Sequence, residues 1–431
     1  MKITHIHIER FRGFQNEDFE VGSLLTAIAG QNGTQKSTLL GIITQTFTLK
    51  TEDSMRVEKP LCGGSYISAF KDKFRLSPTF DKPKGHEWTI SFDAGMDDFT
   101  VESIKRTGDP NVRFWKKGAR QEGDGYISFP TIFLSLKRLV PVAEEAKIIT
   151  DDTLLTQEEL NEFKQLHNKI LIAQTPISSA TTITSKNKQS IGVSTELYDW
   201  NQNSMGQDNL GKIILALFSF KRLHDKYPRQ YKGGILAIDE MDATMYPASQ
   251  VELLKVLRKY ASKLNLQILF TTHSMSLLKA MDDLVQEVTK KEETANQAKI
   301  LYLKTVDDKI AIKQGVNFKG IQLDLNVVAE GNNRKKNRIT AYTEDKENIL
   351  FVKAILKSKA FVLDFVDVTL PCSTLMELVT KRVPAFIYPY SIVILDGDVR
   401  MNKNDLRKIN NADNILILPG NKSPERLLAS Y

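Results

Sequence analysis

Eight residues, Gly30-Gln31-Asn32-Gly33-Thr34-Gln35-Lys36-Ser37, carry the most legible chemistry in this 431-residue chain. They follow an apolar run and precede Thr38-Leu39-Leu40-Gly41-Ile42-Ile43, the order of a strand, a glycine-containing loop and a helix. Backbone N–H groups in such a loop point at phosphate oxygens, and the start of the following helix favours negative charge. In this reading Gly30, Asn32 and Gly33 shape the cradle and Thr38 continues it. Lys36 reaches the β- and γ-phosphates of ATP, and the Ser37 hydroxyl holds Mg²⁺. The pattern places glycine immediately before the lysine. Gln35 stands there instead, a side chain that crowds the phosphates or holds the loop differently. The plainer alternative is a chance glycine-rich turn.

Further acids stand at predicted strand ends. Asp239-Glu240 closes Gly234-Ile235-Leu236-Ala237-Ile238. An Asp there joins the Mg²⁺ shell, and the adjoining Glu orients and deprotonates the attacking water. The alternative is an acidic helix cap. His273, in Thr271-Thr272-His273-Ser274, follows another apolar strand and suits a γ-phosphate sensor as well as a structural role. Towards the C-terminus, Ser391–Leu395 runs into Asp396-Gly397-Asp398. Strand alternation sends both acids to one side, with the glycine leaving room for a ligand. Two close carboxylates suit a bound cation such as Mg²⁺. Glu344, after Ile339–Thr343, would converge with them at the C-terminal edge of a parallel sheet. The alternative is a turn with solvated acids.

The elements that position these groups read as α/β. Residues 64–135 look mostly β, with alternating runs at Trp88–Phe92 and Phe99–Ile104. A helical insertion is expected at about 145–200, where Leu160, Phe163, Leu166 and Ile170 recur at helical spacing and Thr156 with Glu159 suits a capping box. Within it, residues 174–195 read as a polar exposed loop. Helices follow at about 208–226 and 248–262, alternating with strands. The polar run 326–338, with Arg334-Lys335-Lys336, reads as a linker, so the expected domains are 1–325 and 339–431.

Composition narrows the class. No apolar run approaches the roughly 20 residues of a membrane span. Met1–Ile6 alternates like a strand and lacks the apolar core of a signal peptide. Cys62 and Cys372 are the only cysteines, which argues for a reducing cytoplasm. The net charge of +7 permits a nucleic-acid partner.

The opening Ile6-His7-Ile8-Glu9-Arg10-Phe11-Arg12-Gly13-Phe14, the phosphate loop, Asp239-Glu240 and His273 together resemble the ATP-binding-cassette ATPase head of the structural-maintenance-of-chromosomes and overcoming-lysogenization-defect families. Ser204-Met205-Gly206-Gln207 loosely resembles their signature motif. That resemblance implies two heads sandwiching two nucleotides, with Ser204 and Gly206 acting on the partner copy's ATP, in a homodimer or higher homo-oligomer. Residues 338–431 resemble a Toprim domain. This implies Glu344 as general acid or base and Asp396 and Asp398 as ligands of Mg²⁺ or Mn²⁺. The family's further acid falls on Asn348, one residue after Glu347, and Gly420–Glu425 resembles a later segment of such domains. The end at Tyr431 falls early for a complete domain of this kind. The combined layout resembles anti-phage ATPases of the Septu, Gabija and retron-associated systems. It implies either nucleic-acid cleavage under ATPase control or a regulatory ATPase that docks a separate effector nuclease.

Overall fold

A computed structural model describes residues 1–66, 73–77, 79–93, 95–105, 112–119, 125–139, 148–151, 154–173, 175–184, 189–330, 339–388, 391–410 and 412–430. The basic run Arg334-Lys335-Lys336 lies outside the described residues. The chain divides into two compact units, Met1–Leu323 and Asp324–Tyr431.

The first unit is built on a six-stranded sheet in the order Lys309–Gln314, Ala298–Val306, Leu25–Gly30, Leu266–Thr271, Gly234–Ile238, Thr131–Leu134. Only the first two strands pair antiparallel; the rest run parallel. Every residue of Leu25–Gly30, Gly234–Ile238 and Leu266–Thr271 is buried. This explains their mostly apolar sequences, broken only by Thr26, Gln267 and Thr271, because parallel strands are covered on both faces. The helices Lys36–Thr44, Met205–Lys226, Pro247–Lys263 and Met275–Thr289 alternate with these strands along the chain. Register aligns the strand ends: Ile238 lies opposite Phe270 and Leu134, and Thr271 opposite Ile28. The phosphate loop, Asp239 and Thr271 therefore meet at one edge.

A five-stranded antiparallel sheet forms the β-rich lobe, ordered Phe14–Glu20, Ile3–Phe11, Glu87–Phe92, Phe99–Lys105, Val112–Lys116. Its alternating strands turn Ile6, Ile8, Trp88 and Ile90 inward at 0% exposure. Phe11 packs against Phe74 and Trp88 with ring centroids 5.3 and 5.7 Å apart, and Trp88 lies 5.1 Å from Phe114.

The expected insertion at about 145–200 is only partly helical. One helix, Gln157–Leu171, starts at the predicted Thr156–Glu159 capping box. The stretch read as an exposed loop instead holds the antiparallel strands Ser179–Thr184 and Gln189–Ser194, joined at the sheet edge by Ile149–Asp151. Ile183, Ile191 and Val193 are buried there. The Ser and Thr residues that suggested a loop occupy a pleated surface, which β-branched threonine fits well.

The second unit carries a four-stranded, fully parallel sheet ordered Leu363–Phe365, Ile339–Thr343, Ser391–Leu395, Ile415–Ile417. Helices Lys346–Leu356, Cys372–Thr380, Lys403–Asn410 and Pro424–Leu428 fall between and after the strands. No helix among the described residues is long and apolar enough to cross a membrane.

Candidate nucleotide and metal sites

The phosphate loop leaves the buried strand at Gly30 and enters its helix through Gln35. Gln35 adopts a left-handed conformation, φ 60° and ψ 34°. That conformation is why the pattern favours glycine there, since a Cβ makes it costly by roughly 1–2 kcal/mol. The Gln35 side chain lies against the Arg12–Gly13 turn, where a Cβ built on Gly13 would sit 2.9 Å from Nε2. Its Oε1 is buried without a hydrogen-bond partner among the described residues. Lys36 is 7% exposed and its ammonium donates to the Gly30 and Gln31 carbonyls at 3.1 and 2.8 Å. Burial holds its pKa below the ordinary value, opposed by Glu240, Asp239 and Asp242.

The acids stand at the same edge. The Ser37 hydroxyl donates to Asp239 Oδ1 at 2.8 Å, and Thr271 Oγ1 donates to the same oxygen at 2.8 Å. Thr271 also accepts from the Glu240 N–H at 2.6 Å, and Glu240 has φ 49°. A hydroxyl and a carboxylate already in contact form a hard oxygen donor set, which fits Mg²⁺. The backbone N–H of His273 donates to Asp242 Oδ1 at 3.3 Å, and its side chain is exposed. Burial and the Lys36 charge hold the His273 pKa below its ordinary value. Asn32 and Gly33 are exposed at the loop tip, and Thr38 lies in the first turn of the helix.

Two residues unmarked in the sequence tie this edge together. Arg138, 3% exposed, donates to Asn209 Oδ1 at 2.7 Å and to the Glu240 carbonyl at 2.8 Å. Asn209 in turn donates to the Ala243 carbonyl at 2.9 Å. In the sequence Arg138 is one basic residue in Leu136-Lys137-Arg138-Leu139, with no periodic signal. The helix predicted from about 208 starts at Met205, because Ser204 and Gln207 cap it reciprocally. Ser204 is therefore engaged as a cap in this chain. Gly206 is needed for a close approach: a Cβ there would lie 2.5 Å from the Thr244 carbonyl oxygen.

The acids of the second unit converge differently from the sequence expectation. The strand ends at Leu395, and Asp396 caps a 3-10 turn, Gly397–Met401. Alternation is lost there, so Asp396 is buried while Asp398 is exposed. Gly397 makes room for backbone and not for a ligand, since its Cβ would meet the Gly420 and Lys422 carbonyl oxygens at 2.7 and 2.9 Å. Glu344 Oε1 accepts the Asp396 N–H at 2.9 Å. Burial, with Asp396, Asp398 and Asp345 nearby, pushes Glu344 up to about 7. Burial also pushes Asp396 up to about 6, opposed by Asn348. Asp396 Oδ1 and both amide atoms of Asn348 are buried without a well-formed hydrogen bond. Oxygens of Asp345, Glu347 and Glu425 lie within 4.8 Å of one another. These oxygen donors and the orphaned Asp396 oxygen fit a divalent cation. Glu347 and Glu425 thus form one cluster with Asp345, and Glu425 is brought there by the final helix.

Comparison with known proteins bears on the first unit. No curated protein matches the chain in sequence. Among solved structures it is similar to the SMC head domain from Thermotoga maritima, at 14% identity, covering 73% of this chain and all of that one with a TM-score of 0.40. It is also similar to the Smc head domain with an extended coiled coil bound to the C-terminal domain of ScpA derived from Pyrococcus furiosus. There the identity is 13%, the coverage 76% of this chain and 99% of that one, and the TM-score 0.40. Residues 135–278 match a family model described as an AAA ATPase domain. That span includes Arg138, Ser204, Asp239, Glu240 and His273. Residues 135–278 are thus similar to an ATPase domain of that description.

Proposed function

We propose that the first unit binds and hydrolyses ATP with Mg²⁺, and that this activity controls metal-dependent cleavage of nucleic acid by the second unit, in a cytoplasmic anti-phage defence role. In the first unit Lys36 binds the β- and γ-phosphates, Ser37 and Asp239 hold Mg²⁺, and Glu240 takes the proton of the attacking water. His273 reads the γ-phosphate. Ser204 and Gly206 serve the nucleotide of a second copy, in a homodimer or larger homo-oligomer. Bound Mg²⁺ neutralises charge on the phosphates.

The observation that carries the second half is the buried Asp396 carboxylate, whose Oδ1 has no well-formed hydrogen bond among the described residues, beside crowded acids at a parallel sheet's C-terminal edge. Buried carboxylates in that state are costly without a cation. Asp396, Asp398 and the Asp345–Glu347–Glu425 group would hold Mg²⁺ or Mn²⁺, and Glu344, raised towards neutrality, would exchange protons with the scissile group. The test is plasmid cleavage with Mg²⁺ or Mn²⁺, with and without ATP, comparing the wild-type chain with Asp396→Ala. Cutting that persists in the variant would sink the assignment.

A second reading is favoured by Asn348, which occupies a position where an acid would complete the donor set, and by exposed Asp398. In it the chain is a regulatory ATPase that docks a separate effector nuclease. Absence of cutting under every condition, together with co-purification of a nuclease subunit, would select it.

A further inference from the structure

Arg12 lies in the turn between Ile3–Phe11 and Phe14–Glu20, with φ 52°. A guanidinium has five N–H donors. Nε and Nη2 grip the two oxygens of Asp81 at 3.0 and 2.9 Å, and Nη2 also donates to the Arg75 carbonyl at 2.7 Å. Nη1 donates to Thr38 Oγ1 at 3.4 Å. One Nη1 hydrogen remains without a partner among the described residues. Thr38 belongs to the first turn of the phosphate-loop helix. A fixed cation with a spare donor thus stands where that helix begins.

Asp81 is itself braced. Its side chain is 1% exposed and accepts the Ser77 N–H at 2.7 Å. His86 Nε2 lies 3.1 Å from Asp81 Oδ1, and His86 Nδ1 lies 3.0 Å from Ser103 Oγ. The carboxylate needs a donor from Nε2, so Nδ1 accepts the Ser103 hydroxyl. Phe11 and Phe114 pack on the imidazole with centroids 4.6 and 5.4 Å away. Ser103 and His86 are 0% and 2% exposed, so this serine–histidine–aspartate chain cannot meet a substrate. Only Arg12 emerges from it. A bidentate carboxylate removes the freedom of a long side chain, and a cation ordered in advance loses less entropy on binding phosphate.

We infer that Asp81, braced by His86 and Ser103, is a positioning residue for nucleotide binding: it holds Arg12 beside Thr38 so that the spare Nη1 donor meets a phosphate oxygen. The inference rests on the reading of the phosphate loop as an ATP site. The test is a double-mutant cycle on ATP affinity, measured with a fluorescent ATP analogue on the full chain. Asp81→Asn and Arg12→Ala should each weaken binding about tenfold, and the double variant should also be about tenfold weaker, because Asp81 acts through Arg12. Wild-type affinity in Asp81→Asn, or about a hundredfold loss in the double variant, would overturn the inference. Should Asp81→Asn fail to fold, Arg12→Gln carries the test, since that side chain is 25% exposed. Unchanged affinity in Arg12→Gln would equally overturn it. ATP binding lost in Lys36→Ala but unmoved by either substitution would refute this inference alone. No ATP binding by the wild type would refute the nucleotide site as well, and the inference with it.

Discussion

Asp396→Asn should stabilise the second unit while abolishing the cleavage proposed for it. The side chain is 8% exposed, its Oδ1 has no well-formed hydrogen bond among the described residues, and burial pushes its carboxyl from 3.8 up to about 6. A carboxyl whose pKa rises on folding weakens the fold as pH climbs from 3.8 to 6, and has no such effect below 3.8. At about 1.4 kcal/mol per pH unit this amounts to about 3 kcal/mol above pH 6. Screening from the open side of the site reduces it to about 1.5 kcal/mol. An asparagine keeps the shape and removes the charge. For a unit of this size that corresponds to a melting temperature higher by about 5–10 °C. The assay is thermal unfolding of the full chain at pH 8 without divalent metal, with hydrogen exchange in Ser391–Leu395 reporting on this unit. At pH 3.5 the two proteins should match. With Mn²⁺ at a hundred times its dissociation constant the wild type should gain about 2.7 kcal/mol and overtake the variant. An asparagine variant no more stable than wild type at pH 8 without metal would refute the reasoning, because the buried charge would then carry no cost.

Glu240→Gln should retain ATP binding and lose turnover by about a hundredfold or more, as expected when a general base is removed; steady-state phosphate release beside equilibrium binding checks both halves. His167, 1% exposed, is held at about 4 by burial, opposed by Asn168. Its folded pKa is depressed, so stability falls by about 3 kcal/mol as pH drops from 6.5 to 4. His167→Leu should flatten that dependence, and equal pH slopes in the two proteins' melting temperatures would contradict it.

What the sequence made legible was local. The phosphate loop, Asp239-Glu240 and His273 each follow a mostly apolar run, and a buried parallel strand produces such a run whatever surrounds it. The Thr156–Glu159 cap and the Ser204–Gln207 turn likewise depend on residues three apart. Contacts between distant segments left no trace. Arg138 meets Glu240 and Asn209 through tertiary packing alone, and Asp81 reaches Arg12 across a sequence separation of 69. The paired strands Ser179–Thr184 and Gln189–Ser194 were hidden by their polar threonines and serines, whose inward partners Ile183, Ile191 and Val193 are too few to stand out. At Asp396-Gly397-Asp398 the alternation rule failed because the backbone left the strand one residue early, where Gly397 passes against the Gly420–Lys422 backbone.

The fastening of the helix Met205–Lys226 has a mechanical consequence. Its first turn presses Gly206 against the Thr244 carbonyl, while Asn209 and Arg138 bind it to the turn that bears Glu240. Its 22 residues make a rod about 33 Å long. At the far end, Lys226 and the next residue, Tyr227, both hold Glu58. Such a rod is a lever anchored at the turn that bears Glu240. A tilt of about 4° at Glu240, too small to disturb packing locally, displaces the Glu58 end by about 2 Å. A change of shape at the turn that bears Glu240 would thus be felt at Glu58, one helix length away.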